Sequence, residues 1–509
     1  MAGRRFAAIG VGSFELELGI YEIDAKYGIR NVDMLRHVIA IGSETYDTGR
    51  ISYQTAQEIT EVLSDFVNVM KSYRCAGCTA YATSALREAR NRNIVLEQIR
   101  VHTGLEVKII SNSEQRFLSY KALAAAGGGE FNELIKEGTA IVDLSFGSMQ
   151  ISLFDEGKMI STQNLRVGAL RLRDQMNELT TARDGRERLL TELVDHELEI
   201  YSRLHLQGRK IRNLIAMGEP VRVLFDRLMR KEGKDPQKQR VISRRTLEKG
   251  YTYIIDKYDS ELEDLFGVSI ENASVFVPTA AVYSRVAGQF GPEQIWVPGT
   301  ILIDGIAAEY AFSRKLVKPK HDFDADIISA AEQIAARYGS FDAHRIYAVE
   351  NTLKIFDAIR KPQGFSERDR LLIHVAAVLH HCGRFVNMGR AGLSSYEIIH
   401  ATEIIGLSDD EHEIVSLVLR HENIMNMPDD VSMRAAKMIA IISLADALDR
   451  SAKQKGGDFK VTLGEDGRMT VSTKFSGDLS LEQLTFEKNS RFFNEIFGIE
   501  PVLRQKRAF

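Results

Sequence analysis

The sequence predicts an α/β protein: two related half-domains facing each other across a cleft, then an all-helical domain. Three observations predict it. The stretch Phe6-Ala-Ala-Ile-Gly-Val-Gly-Ser-Phe-Glu-Leu-Glu-Leu-Gly-Ile-Tyr21 reads strand, small-residue turn, strand. The same order recurs in Ala140-Ile-Val-Asp-Leu-Ser-Phe-Gly-Ser-Met-Gln-Ile-Ser-Leu-Phe154. Both read as hairpins whose turns could hold phosphate against backbone N–H groups. Beyond Pro319 the pattern changes to helix after helix, and eight of the twelve histidines fall from His321 onward.

In chain order, strands are expected at 6–11, 15–23 and 33–41. Residues 52–73 follow as an amphipathic helix with Ala56, Ile59, Val62, Leu63, Phe66 and Met70 at helical spacing. Thr79 to Asn91 reads as a short strand, a Thr-Ser helix start and a helix carrying Arg87. The strand Glu106–Ser111 leads through Asn112-Ser113, read as an N-cap, into a helix carrying Glu114. Gly127-Gly-Gly129 is expected to hinge the halves. The second half opens on the Asp143 hairpin, continues with a helix over 186–206 and a strand over 213–218, and ends with a strand and turn at 296–305 before a helix at 306–312. Domains are therefore expected at 1–125, 126–312 and 320–509. The last has helices over 326–454, a hairpin near Phe459–Lys474 and a closing helix near Leu479–Phe497.

Bulk properties bound the function. Five hundred and nine residues suit about three domains. A net charge of −4 does not advertise nucleic acid, and no apolar stretch reaches the roughly 20 residues a membrane span needs, so a cytoplasmic protein is expected. Three cysteines make no disulfide framework; Cys75 and Cys78 form a CxxC without a second pair, read as ordinary thiols. The Lys- and Arg-rich stretch 203–249 is a solvated helix face or a track for a long polyanion. Asp143 closes a buried β-branched run: it is either a strand-end Asx turn or a cleft carboxylate.

Ala82-Thr-Ser-Ala-Leu-Arg-Glu-Ala-Arg-Asn91, Val107-Lys-Ile-Ile-Ser-Asn-Ser-Glu114, Ile141-Val-Asp143 with Gly147-Ser148, and Val167-Gly-Ala-Leu-Arg-Leu172 carry a resemblance. In order and spacing, the first 310 residues resemble the exopolyphosphatase / guanosine pentaphosphate phosphatase family. The resemblance implies two actin/hexokinase-like (ribonuclease H-like) half-domains. It implies a Mg²⁺-dependent hydrolase that releases terminal phosphate from inorganic polyphosphate or guanosine pentaphosphate, and a homodimer. It assigns Glu114 to activating water and Asp143 to the metal. Gly12, Ser13, Arg87, Gly147 and Ser148 are assigned to phosphate. Val378-Leu-His-His-Cys-Gly-Arg-Phe385 and Ile441 to Arg450 resemble an appended HD-like domain, which implies a second divalent metal on His344, His380, His381 and Asp446.

The chain departs from the family pattern at the phosphate turns. Gly10 stands where the first motif has Asp, Phe14 where it has Asn, and Glu15 where it has Ser; Ser145 and Phe146 replace glycines of the second. Phe146 is expected to strain a turn that needs positive φ. These departures imply a weakened hydrolase, or alternatively a non-catalytic protein that binds polyphosphate or nucleotide on the same scaffold. In the helical domain His381 replaces the Asp of the His-Asp pair, and imidazole does not bridge two ions as a carboxylate does.

Overall fold

The computed structural model describes residues 3–179, 185–236, 240–339, 342–420 and 431–505. The chain divides into two compact units, Met1–Asp322 and Phe323–Phe509. In the first, β1 (Arg4–Val11), β2 (Glu15–Asp24) and β3 (Gly28–Val38) form an antiparallel meander, followed by α1 (Ile41–Thr48) and α2 (Tyr53–Ser72). β4 (Cys78–Ala82), α3 (Ser84–Glu88), α4 (Arg92–Thr103) and β5 (Val107–Ile109) complete a sheet of order β3-β2-β1-β4-β5, with β1, β4 and β5 parallel. α2 starts where Ser52 Oγ accepts the Thr55 N–H and buries the stripe Ala56, Ile59, Leu63 and Phe66.

The long helix α5 (Asn112–Leu134) joins this sheet to the next. Its cap is Ser111, not Asn112: Ser111 Oγ accepts the Glu114 N–H, and the Glu114 carboxylate accepts the Ser111 N–H in return. Gly127–Gly129 lie inside this helix. Gly128 at φ +52°, ψ −120° breaks the helical geometry, so the triplet kinks the helix that joins the two sheets.

β6 (Thr139–Leu144), β7 (Met149–Asp155) and β8 (Lys158–Leu165) repeat the meander, and α6 (Ala169–Leu179) and α7 (Arg186–Tyr201) follow. β9 (Asn213–Met217), α8 (Glu219–Lys231), β10 (Val241–Ile242), α9 (Arg244–Ile254), α10 (Asp259–Phe266), α11 (Ile270–Ala273), α12 (Phe276–Phe290), β11 (Gln294–Trp296) and α13 (Leu302–Ser313) close the unit. The second sheet runs β10-β11-β9-β6-β7-β8. Without β10 it reads β8-β7-β6-β9-β11, the order and strand directions of the first sheet. The two hairpins noted in the sequence are the same position of a repeated fold.

α13 begins at Leu302, not at 306, because Asp304 Oδ2 accepts the Ile301 N–H and opens the helix. Its Gly305 lies so close to α5 that a Cβ there would collide with the Leu118 carbonyl.

The second unit contains α14 (Phe323–Arg337), α15 (Asp342–Ile359), α16 (Glu367–Leu379), α17 (Ala391–His400), α18 (Asp409–Arg420) and α19 (Met433–Ala447). A three-stranded sheet of β12 (Lys460–Leu463), β13 (Arg468–Thr473) and β14 (Glu500–Gln505) flanks α20 (Ser480–Phe497). α16 and α19 are buried nearly all round, as their near-continuous apolar sequences require. β14 pairs parallel to β13 after the final helix and was not apparent in the sequence pattern.

Candidate functional site

In the first unit a cleft with about 640 Å³ of empty space opens between the two sheets, with residues of both hairpin turns lining it. From the first half come Gly12, Ser13, Glu15, Glu17, Thr83 and Ser84. From α5 come Gln115 and Ser119, and from the second half Asp143, Ser145, Phe146 and Gly218. Asp143 sits at the end of β6, and burial raises its carboxyl pKa, opposed by a hydrogen bond from Ser119 and the charge of Arg116. Its Oδ1 lies 3.5 Å from the point where a Cβ on Gly218 would stand. Gly218 itself is at φ +109°, and a Cβ there would strike the Leu144 carbonyl, so only glycine fits. Tyr283 Oη donates toward the Val142 and Met217 carbonyls at 2.9 and 2.6 Å, fixing the strand ends beneath Asp143.

The lost carboxylate of the first turn has a near neighbour. Gly10 is paired with Glu17 across β1 and β2. Glu17 Oε2 lies 3.5 Å from the Cβ position of Gly10, so a carboxylate is delivered to the place where a residue-10 side chain would begin. Its other oxygen lies 3.3 Å from Arg36 Nε. Three carboxylates, Glu15, Glu17 and Asp143, thus face the cleft, and no Lys or Arg is among its described lining residues. A polyanion enters such a cleft only with cations. The all-oxygen donor set suits Mg²⁺, which takes one or two carboxylates plus waters and phosphate oxygens.

Several expected residues are elsewhere. Glu114 does not line the cleft: one carboxylate oxygen caps α5 and the other pairs with Lys108 at 3.0 Å. A one-residue step turns a helix by about 100°, and Gln115, 8% exposed, faces the cleft in its place. Arg87 is likewise committed, donating to the Ile110 carbonyl and to Asn112 Oδ1, both at 2.5 Å. Glu88 pairs with Arg171 at 2.6 Å.

Gly147 and Ser148 are not in the lining either. Ser145 and Ser148 close their turn on each other, the Ser145 N–H donating to the Ser148 carbonyl at 2.9 Å. A side chain at Gly147 would collide with Tyr46 Oη and Ser84 Oγ. Tyr46 in turn reaches Ser13 Oγ and Ser84 Oγ, each at 2.8 Å. Phe146 is not strained, since neither it nor Phe14 has positive φ. The two rings stack at 4.5 Å between centroids, sharing a small apolar cluster with Ala169, Leu170 and Val275. This aromatic stacking joins the turns of the two halves.

The structure therefore unites Gly12, Ser13 and Asp143 as expected and adds Glu17, Gln115 and Ser119. Glu17 was legible from hairpin register opposite Gly10; Gln115 had no sequence signal separating it from its neighbour.

The second unit holds a cluster of a different chemistry. His344 on α15, His380 and His381 after α16, and Asp446 on α19 each present one donor atom, all within 4.8 Å of one another. His344, His380 and His381 Nε2 lie 3.2, 3.5 and 3.4 Å from one oxygen, Asp446 Oδ1. Imidazole-rich donors suit a transition-metal ion, not Mg²⁺. Cys75, Cys78 and Cys382 are free thiols, and no single helix among the described residues is long and apolar enough to cross a membrane.

Residues 20–311 match the model of the Ppx/GppA phosphatase family. The chain is 26% identical over 284 residues to "Exopolyphosphatase 1" of Mycobacterium leprae, covering 55% of this chain and 81% of that one. It is 18% identical over 450 residues to the guanosine-5'-triphosphate,3'-diphosphate pyrophosphatase of Photobacterium profundum, covering 86% of each. Among solved structures, an exopolyphosphatase from Cytophaga hutchinsonii superposes with a TM-score of 0.56 at 16% identity, covering 62% of this chain and all of that one. The Aquifex aeolicus member of the Ppx/GppA family superposes at 0.51 and 20% identity, covering 61% and 98%. These structural likenesses establish the fold of the first unit.

Proposed function

The chain belongs to the Ppx/GppA phosphatase family, and on that premise we propose that its first unit hydrolyses terminal phosphoanhydride bonds, releasing orthophosphate from inorganic polyphosphate or guanosine pentaphosphate. The observation that carries the proposal is Asp143 at the end of β6, the first strand of the repeated meander, facing a cleft that also receives Glu17. Such a transition state leaves little covalent work for the protein; positioning and charge neutralisation dominate.

Asp143 and Glu17 would hold Mg²⁺, which supplies neutralisation of the phosphoryl oxygens that three cleft carboxylates otherwise repel. Ser13 and Ser84 offer hydroxyls from the first half. Gln115 orients the attacking water through its amide oxygen but takes no proton from it. Hydrolysis here is consequently slower than with a carboxylate at that position, since a positioned general base contributes about 10²- to 10⁴-fold.

A second reading, binding without turnover, is favoured by the same Gln115 and by the Tyr46 and Phe14–Phe146 contacts that join the two turns. Orthophosphate release with and without Mg²⁺ decides between them. Magnesium-dependent release lost in Asp143→Asn supports hydrolysis. Ligand-induced thermal stabilisation without release supports binding alone.

A further inference from the structure

Ser13 and Ser84 line the cleft, 4% and 6% exposed, yet neither has a hydroxyl proton to give to a phosphate. Ser13 Oγ accepts twice, from the Tyr46 hydroxyl at 2.8 Å and from the Ala85 N–H at 3.2 Å. Both its lone pairs are then used, so its own proton points to Ser84 Oγ, 2.8 Å away. Ser84 in turn donates to Tyr46 Oη at 2.8 Å. The three hydroxyls close a ring in which every proton is committed. Burial raises the Tyr46 pKa above its ordinary 10.0, opposed by the hydrogen bonds with Ser13 and Ser84, so the phenol keeps its proton at neutral pH.

The ring is clamped from the second half. Arg171 on α6 lays its guanidinium carbon 3.7 Å from the centre of the Tyr46 ring. Its Nε donates to the Gly147 carbonyl at 2.7 Å, and its Nη2 donates to both carboxylate oxygens of Glu88 on α3 at 2.6 and 2.7 Å. Tyr46 Oη fills the space over Gly147, where a Cβ would collide with it. The tyrosine hydroxyl thus stands between the first turn and the second, which keeps Gly147 out of the cleft lining.

An ionised phosphoryl group only accepts hydrogen bonds, so it needs donors. A ring that consumes its own donors offers none until it opens. We propose that Tyr46 sets substrate affinity as an internal competitor: a phosphoryl group engages Ser13 and Ser84 only by displacing the Tyr46 hydroxyl from their ring. This inference rests on the reading of the cleft as a phosphoryl site. Tyr46→Phe keeps an aromatic face under Arg171 and leaves the Ser84 proton without its acceptor, available to the ligand.

The full chain and its Tyr46→Phe variant, both shown folded by circular dichroism, are titrated by calorimetry in Mg²⁺ with imidodiphosphate, whose P–N–P bridge resists hydrolysis. The expected result is binding about tenfold tighter in the variant, the difference that one charge-assisted hydrogen bond makes. A merely structural tyrosine would give weaker binding on removal of its hydroxyl. Adding Ser84→Ala to Tyr46→Phe should erase the gain, because the released donor is then gone. Unchanged or weaker binding in folded Tyr46→Phe overturns the proposal, as does a gain that survives Ser84→Ala, or binding by neither protein. Orthophosphate release from polyphosphate, measured alongside, tests the hydrolase reading separately. Its absence beside an intact affinity gain overturns hydrolysis and leaves Tyr46 as the competitor.

Discussion

Exchanging the roles of residues 114 and 115 probes the cleft most sharply. Gln115→Glu places a carboxylate where the structure has a neutral amide facing the cleft. A matched general base is worth about 10²- to 10⁴-fold, but this one would not be well matched. The site is 8% exposed, and Glu15, Glu17 and Asp143 face the same space, so burial and like charge raise its pKa. Each unit above the assay pH costs about tenfold in ionised fraction, which leaves an expected gain of about 10- to 100-fold in kcat, largest at alkaline pH. Glu114→Gln is the control. Glutamine still serves the N3 position of the capping box, and the exposed Lys108 pair it loses is worth about 0–1 kcal/mol. Its kcat and melting temperature should therefore stay near those of the parent. The assay is orthophosphate release from long polyphosphate in Mg²⁺ between pH 6 and 9. Loss of turnover in Glu114→Gln, or an unchanged kcat in Gln115→Glu, would refute the assignment of these two neighbours.

Three further outcomes follow from burial and backbone geometry. The buried Asp143 carboxyl titrates above its ordinary 3.8, so the native state holds that proton more tightly, and stability falls as pH rises from 3.8 through the folded pKa. Asp143→Asn should accordingly melt at a higher temperature than the metal-free parent at neutral pH while losing phosphate release. Gly218→Ala forces φ +109° on alanine and drives its Cβ into the Leu144 carbonyl; urea unfolding should show a loss of roughly 2 kcal/mol or more. Burial and the nearby Arg370 push His374 down to about 4. The unfolded state then binds the extra proton between pH 6.5 and 4, so stability is present above that window and is lost as pH falls through it. His374→Leu should flatten that dependence by about 2 kcal/mol, discounted from the full shift for its partial exposure.

The architecture was legible because it is written in periodicity. The β1–β2 and β6–β7 hairpins announced the repeat, and the sheets duplicate their strand order. The apolar stripe of α2 fixed that helix almost to its ends. What failed was finer. Ser111 and Asn112 are both good caps, and only the reciprocal bonds of Ser111 and Glu114 separate them. That same cap removes Glu114 from the cleft, a choice made by helix phase and not by residue type. The expected strain at Phe146 did not arise because its turn closes through Ser145 and Ser148 with ordinary backbone angles. Glu17 shows the opposite case: once Gly10 is paired with it, the carboxylate missing at one strand is supplied from the next. In the helical unit the resemblance to an HD-like domain grouped His344, His380, His381 and Asp446, and the structure brings them together although His344 and Asp446 are about a hundred positions apart.

The most direct measurement of the central claim is orthophosphate released from polyphosphate and from guanosine pentaphosphate by the full chain, with Mg²⁺ and with chelator, beside Asp143→Asn. The account predicts release from at least one substrate that requires Mg²⁺ and falls a hundredfold or more in the variant. Release from neither substrate above the level of Asp143→Asn would contradict it.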